Sequence, residues 1–365
     1  MSDRQYDELI KKIIQHYDII ELEMIKNIAK RLRFEPETTP TTEWLIKKLS
    51  EIGGLNEDNL KVISKYSKLT KKEIKQILET VGEKTIPKSE LTEAYKSGSI
   101  TIEPNTFIES QVIQNIVNQS YKQLENTFLN INKAIVESAR QQYVEILNQS
   151  YLEVSSGIYD YQTSIRRAIN KFGDAGISGA TYKYVDEDTG AILTRRYDIA
   201  GVVRRDVLTA SHQLAVKSNM AVIEELQPKY VRLSEHVKCR PTHFHWQGTI
   251  IKREDLYEVT RIGEVDGLGG INCKHEVYAF YGKERGNDLK KIDKDESSEE
   301  YELSQTQRAM ERSVRKWKRK ETLFKGTDDE EMYNKSAKKR KLWQARLRNF
   351  TNENNLIRDY LREKV

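Results

Sequence analysis

Cysteine is nearly absent from this chain: Cys239 and Cys273 are its only two in 365 residues. Two cysteines make no disulfide framework, which excludes the small stapled folds of secreted proteins. No apolar run reaches the roughly 18 residues that a membrane-spanning helix needs, and no signal-peptide pattern follows Met1. The expectation is a protein that neither spans a membrane nor uses a cleavable secretory signal. Charge of one sign is not in excess either, since 61 Lys and Arg face 56 Asp and Glu for a net +5. Nucleic-acid binding therefore has to be argued from local patches, not from the whole chain. Catalytic signatures are missing as well. There is no Gly-x-Ser-x-Gly elbow and no His-Glu-x-x-His pair, and the glycines at 267–270 lack the Lys-Ser/Thr and the strand-helix context of a phosphate loop.

What is present is mostly helical periodicity. With 37% hydrophobic and 32% charged residues, the composition points to extended helical parts rather than one large core, with room for two or three domains. The first helix carries Ile10, Ile13, Ile14, Tyr17, Ile20, Met24, Ile28 and Leu32 at helical spacing up to a break at Phe34-Glu35-Pro36. Short helices are expected at 42–52, 57–67 and 70–81, punctuated by Gly53-Gly54 and by Thr70, which with Glu73 reads as a capping box. After a connector with a short helix at 89–96, Thr106 and Glu109 suggest a second box. Behind it a stripe from Ile113 through Leu124, Phe128, Ile135 and Tyr143 to Ile146 predicts a helix of about 60 Å, or one folded back near residues 130–132, where asparagines lower the propensity.

The middle of the chain changes character. A helix at 159–171 precedes two short strands around a loop at 186–190, then a helix at 199–225 with Arg196, Arg204 and Arg205 near its start. Those arginines either grip phosphates or carboxylates, or form ordinary salt bridges. A strand after Pro228 leads into the next motif. The fold class expected is mainly α with a smaller α+β module, long helices and an extended, multi-part architecture. Its segments are an N-terminal helical region (1–85), a connector and long helix (86–157), the α+β module (158–286), a charged linker (287–303) and basic C-terminal helices (304–365).

The scarce soft ligands are concentrated in that module. Four of the six histidines and both cysteines lie in two signatures, His236-Val237-Lys238-Cys239-Arg240-Pro241-Thr242-His243-Phe244-His245-Trp246-Gln247-Gly248 and Asp266-Gly267-Leu268-Gly269-Gly270-Ile271-Asn272-Cys273-Lys274-His275. Imidazole and thiolate are the ligands zinc prefers, commonly as two local pairs joined by the fold. The candidate ligands are His236, Cys239, His243, Cys273 and His275, with His245 nearby, and Trp246, Gln247, Asp266 and Asn272 would orient them. The competing reading is a metal-free polar core of hydrogen-bonded histidines and small buried thiols. A third reading is a metal-dependent nuclease built on His243, Asn272 and His275 with Asp266 or Glu264.

Past residue 303 two basic helices carry thin apolar seams. Arg308, Arg312, Arg315, Lys316 and Arg319 surround Met310, Val314 and Trp317, while Lys338, Lys339, Arg340 and Lys341 accompany Trp343, Leu347 and Phe350. Such a surface meets DNA phosphates without sequence preference, docks on an acidic protein, or is simply solvated.

These motifs resemble the phage minor capsid protein 2 family of siphophages of Gram-positive bacteria, loosely akin to Mu F-like head morphogenesis proteins. The resemblance rests on His236, Arg240-Pro241-Thr242-His243 and Trp246-Gln247-Gly248, followed by Asp266-Gly267-Leu268 and Asn272-Cys273-Lys274-His275. It extends to residues 44–53, to RRAINKFGDAGIS from Arg166, to GVVRRDVLTASHQLAVKSN from Gly201, and to Gln305-Thr306-Gln307-Arg308 with Glu311-Arg312, and so covers most of the chain. The sequence departs at Gly269, where the family often has cysteine, and at Cys239, where it has a small residue. Cys239 either replaces that ligand or leaves the site weaker. The resemblance implies a non-enzymatic minor head protein, present in virions and in the host cytoplasm during assembly. Implied partners are the portal, the major capsid or scaffolding proteins and packaged double-stranded DNA; implied roles are head assembly, DNA packaging or genome ejection.

Overall fold

The computed structural model describes residues 3–33, 41–186, 190–237, 239–281 and 294–364. In chain order the helices and strands are α1 (Asp3–Arg31), α2 (Thr41–Ser50), α3 (Ile52–Thr85), α4 (Lys88–Lys96), α5 (Pro104–Ile108), α6 (Gln111–Ser155), α7 (Tyr161–Ala175), β1 (Ser178–Val185) and β2 (Ile192–Asp198), continuing with α8 (Ile199–Leu226), β3 (Tyr230–Leu233), β4 (Ile250–Lys252), α9 (Leu256–Thr260), β5 (Val277–Phe280), α10 (Lys294–Gly326) and α11 (Glu330–Glu353). The protein is mainly helical, with long helices and two small antiparallel sheets, as its periodicity predicts. The chain groups into two compact units: residues 1–11, 71–127 and 204–305 form the first, and residues 12–70, 128–203 and 306–365 the second.

In the first unit, β3 is the central strand of a sheet ordered β4-β3-β5, with Val231 opposite both Ile251 and Ala279. One face of this small sheet is covered by a core that includes Leu91, Phe107, Val222, Ile223, Val231, Leu233, Trp246, Leu268, Cys273 and Val277. The sheet matters for function because the chain leaving β3 and the chain entering β5 both run into the His/Cys signatures.

In the second unit, the α1 stripe is buried from Ile13 to Leu32. It meets the α6 stripe, where Tyr17 stacks on Phe128 at 5.4 Å and donates a 2.8 Å hydrogen bond to Asn132 Oδ1. Asn132 thus gains a buried partner, and α6 continues for 45 residues without the break that its asparagines suggest. The hairpin of β1 and β2 pairs Thr181 with Arg196 and Tyr182 with Arg195, as expected from the two runs; the middle of its loop, 187–189, lies outside the described residues.

Four local expectations are corrected. Residues 57–67 and 70–81 belong to one helix, α3, which also includes Gly53 and Gly54. Thr70 is no cap: its hydroxyl donates to the Tyr66 carbonyl at 3.0 Å, one turn back, which lets a polar residue sit inside a helix. Buried Ile63, Ile74, Leu78 and Val81 keep the helix continuous across that point. Thr106 does not open a helix either, since Pro104 starts α5 and the Thr106 hydroxyl donates to Glu103 at 3.2 Å. Finally, the charged segment read as a linker is helical from Lys294 onward, its acidic residues suiting a helix N-terminus; 282–293 lie outside the described residues.

Candidate metal centre

Two loops of the first unit build the site. The first follows β3: Ser234 N–H donates to the Glu276 carbonyl at 2.9 Å, and a single 3-10 turn, Pro241–His243, reverses the chain. Pro241 fixes the first position of that turn, which leaves His243 buried at its end. The second loop runs from α9 to β5 and is tightened by glycines. A Cβ on Gly267 would meet the Arg261 carbonyl carbon at 2.6 Å and the Thr260 oxygen at 2.8 Å, and one on Gly270 would meet the Glu264 oxygen at 2.6 Å. Gly269 and Asn272 adopt left-handed φ values of +73° and +58°. Only a glycine-rich sequence closes this turn. Leu268 N–H then bonds the Thr260 carbonyl at 3.0 Å and Cys273 N–H the Gly270 carbonyl at 3.1 Å, so Cys273 and His275 arrive facing His243.

The three side chains are buried and their ligand atoms converge. His243 Nδ1 lies 3.4 Å from His275 Nδ1, and Cys273 Sγ lies 3.9 Å from the first and 3.7 Å from the second. The far ring nitrogens have oxygen partners: His243 Nε2 is 2.7 Å from the Asp266 carbonyl and His275 Nε2 is 3.2 Å from Gln247 Oε1. Both oxygens accept, so in each neutral ring Nε2 carries the proton and Nδ1 presents its lone pair to the centre. Burial holds both rings neutral, lowering the His243 pKa and pushing that of His275 down to about 2. Burial likewise raises the Cys273 thiol. Two inward lone pairs then share one thiol proton, and a cation would satisfy all three groups at once. His243, Cys273 and His275 together could hold a metal ion.

The other expected residues fall around this group. Trp246 is buried and packs its ring 4.6 Å from that of His243 and 4.7 Å from that of His275. Gln247 also accepts the His236 backbone N–H at 3.0 Å, tying the two loops together. Asp266 orients His243 through its main chain, while its exposed carboxylate pairs with Arg261 at 2.9 Å. Asn272 is exposed, and its backbone N–H reaches Thr209 Oγ1 at 3.1 Å. His236 stacks edge-on to His275 at 5.0 Å with its Nε2 3.2 Å from Ser234 Oγ. Half-buried Cys239 is outside the three-residue group and in no disulfide, and His245 is exposed. Ser234 was not legible as a site residue; its hydroxyl also accepts Glu276 N–H at 2.8 Å.

The basic helices are placed differently from a free cationic surface. Arg315 is nearly buried and bonds Asp198 at 2.6 Å and the Arg362 carbonyl at 2.8 Å. Arg319, also buried, bonds the Gly173 carbonyl at 3.3 Å and faces Glu21 at 3.6 Å. Lys316 pairs with Asp174 at 2.7 Å and Arg340 with Glu321 at 2.6 Å. Arg308, Arg312, Lys338, Lys339 and Lys341 are exposed. Near the start of α8, Arg204 pairs with Asp7 at 2.7 Å, and on β2 Arg196 pairs with Glu145 at 3.4 Å.

Among the described residues, one group of soft ligands converges, the buried His243, Cys273 and His275, whose ligand atoms all lie within 4.8 Å of one another and could hold a metal ion. The sequence model of the phage minor capsid protein 2 family matches residues 1–352, and the chain belongs to that family, whose members are virion structural proteins. It is 23% identical over 363 residues, 94% of each chain, to a structural protein of Lactococcus phage LL-H. A 104-residue stretch, 28% of this chain and 85% of the relative, is 34% identical to a structural protein of Lactococcus phage mv4. No solved structure matches the chain significantly. No described helix is long and apolar enough to cross a membrane.

Proposed function

We propose that this minor capsid protein acts at the portal or the inner face of the phage head, in head assembly, DNA packaging or genome ejection, and that its α+β module is held together by zinc. The observation that carries the zinc reading is the spacing of the three ligand atoms. Around one tetrahedral zinc, two nitrogens at about 2.0–2.1 Å stand about 3.3 Å apart and a sulfur at about 2.3 Å stands about 3.6 Å from each. The protein holds them at 3.4, 3.7 and 3.9 Å. Both histidines also have the oxygen partner on the far nitrogen that metal-bound imidazoles carry.

A structural metal is favoured over a nuclease. Three protein ligands leave a fourth coordination position for water, but hydrolysis also needs a group that handles that water, and Asp266 turns its carboxylate to Arg261 while Glu264 accepts from the Tyr257 hydroxyl at 3.2 Å. Membership of a virion family and the exposed bases Lys338, Lys339 and Lys341 support contacts with the portal, the major capsid or scaffolding proteins and packaged DNA. Quantitative mass spectrometry of procapsids, DNA-filled heads and emptied particles tests the placement. A few copies per head, lost on emptying, is the result expected of a component that leaves with DNA; a few copies kept through emptying fits the assembly and packaging roles. Absence from every particle would overturn the reading.

A further inference from the structure

The second unit contains a cleft of about 310 Å³ that the capsid reading does not use. This size falls at the low end for small-ligand sites, roughly 300–1,000 Å³. Its wall is formed by α10, through Arg312, Arg315, Lys316 and Arg319, and by Arg196 of β2, with Asp174 and Asp198 as the lining acids. Both acids are already engaged. Asp198 binds Arg315 and accepts the Gly201 N–H at 2.6 Å; burial opposes its charge, but Arg315 and that N–H more than offset the burial and hold its carboxyl below the usual range. Asp174 is shared between Lys316 at 2.7 Å and Lys320 at 2.9 Å.

Cationic donors are left over. Arg312 is exposed and makes no ion pair among the described residues. Buried Arg319 lines the wall but turns its Nη1, which is inaccessible to solvent, toward Glu21 at 3.6 Å, so it contributes positive charge to the recess rather than an exposed donor. Burial raises the pKa of Glu21, which weakens that counter-charge. Arg196 meets Glu145 only across an exposed 3.4 Å contact, which solvent screens. Guanidinium groups with unused donors around a polar recess match the fork geometry of phosphate oxygens.

We propose that this cleft binds a phosphate group, with the exposed Arg312 as its main donor and Arg196 beside it. The inference stands on the second unit alone and does not depend on zinc or on the place of the protein in the head. Inorganic phosphate titrated calorimetrically into the full chain at constant ionic strength tests it. Saturable binding should weaken about tenfold or more in Arg312→Gln, the loss of one charge-assisted hydrogen bond, with an unchanged thermal midpoint. Lys335→Gln, an equal charge change at an exposed position of α11 outside the cleft, should leave it unaltered. Competition by a short DNA duplex would assign the phosphate to a nucleic-acid backbone, and lack of competition to a free phosphate or nucleotide. No saturable binding, or equal weakening in both variants, would overturn the proposal.

Discussion

Replacing Gly267 with alanine should dismantle the candidate metal centre without touching His243, Cys273 or His275. The added methyl would sit 2.6 Å from the Arg261 carbonyl carbon and 2.8 Å from the Thr260 oxygen, while a relaxed carbon-to-oxygen contact needs about 3.3 Å or more. Both obstacles are backbone, so the turn must move by over half an ångström, about the tolerance that separates a working metal site from a loose one. Overpacking costs about 1–3 kcal/mol where side chains can yield, so with backbone on both sides at least about 3 kcal/mol is expected. That corresponds to a thermal midpoint about 6–12 °C lower. The Asp266 carbonyl, one residue away, would shift from His243 Nε2, and bound metal should fall with stability. Two other glycines calibrate the effect. Gly263→Ala meets open space but adopts φ +90°, which costs about 1–2 kcal/mol. Exposed Gly53, also in open space and helical, should gain a few tenths to about 1 kcal/mol as alanine. The assay is a thermal melt with metal analysis of each purified variant. A Gly267→Ala protein with wild-type midpoint and metal content would refute the reasoning.

Chelation of the wild-type protein should lower the midpoint by about 5–10 °C, the equivalent of removing a ligand present at about 100 times its Kd, and Cys273→Ser should copy it; an unchanged melt in both would leave the hydrogen-bonded core as the better account. In chelated protein the stability should be level from pH 7 to 8 and fall below about 6.5 by up to about 1.4 kcal/mol per pH unit for each of His243 and His275. Their folded pKa values lie below the unfolded 6.5, so the unfolded chain takes up protons first; a flat urea-midpoint profile from pH 7 to 5 would contradict this. Arg315→Met should cost about 1.5–3 kcal/mol in urea unfolding, because it removes the charged partner of half-buried Asp198, whereas Lys338→Met on exposed α11 should stay within about 0.5 kcal/mol. Equal costs would mean that Arg315 is solvated.

Much of the fold was legible because burial writes periodicity. The stripe from Ile10 to Leu32 predicted α1, which ends at Arg31 shortly before the expected break, and the two short runs around the loop at 186–190 predicted β1 and β2. Local punctuation was less informative. Thr70 and Thr106 have the chemistry of caps, but neighbouring buried residues in one case and Pro104 in the other set the helix boundaries. The gathering of His and Cys was visible through scarcity alone. Which three converge was not: His236, Cys239 and His245 are of the same residue types and are separated from His243 only by loop geometry. The role of Asp266 was hidden for another reason, since it acts through its carbonyl, which every residue possesses. Charge was the least legible feature, because Arg315 and Arg319 look like solvated bases until Asp198 and Glu21 appear beside them.

X-ray absorption at the zinc edge of full-length protein purified without chelator addresses the centre most directly. The account predicts one zinc per chain with a sulfur shell at about 2.3 Å and nitrogen at about 2.0–2.1 Å, both lost in Cys273→Ser. A protein without stoichiometric zinc, or a zinc shell without sulfur, would contradict it.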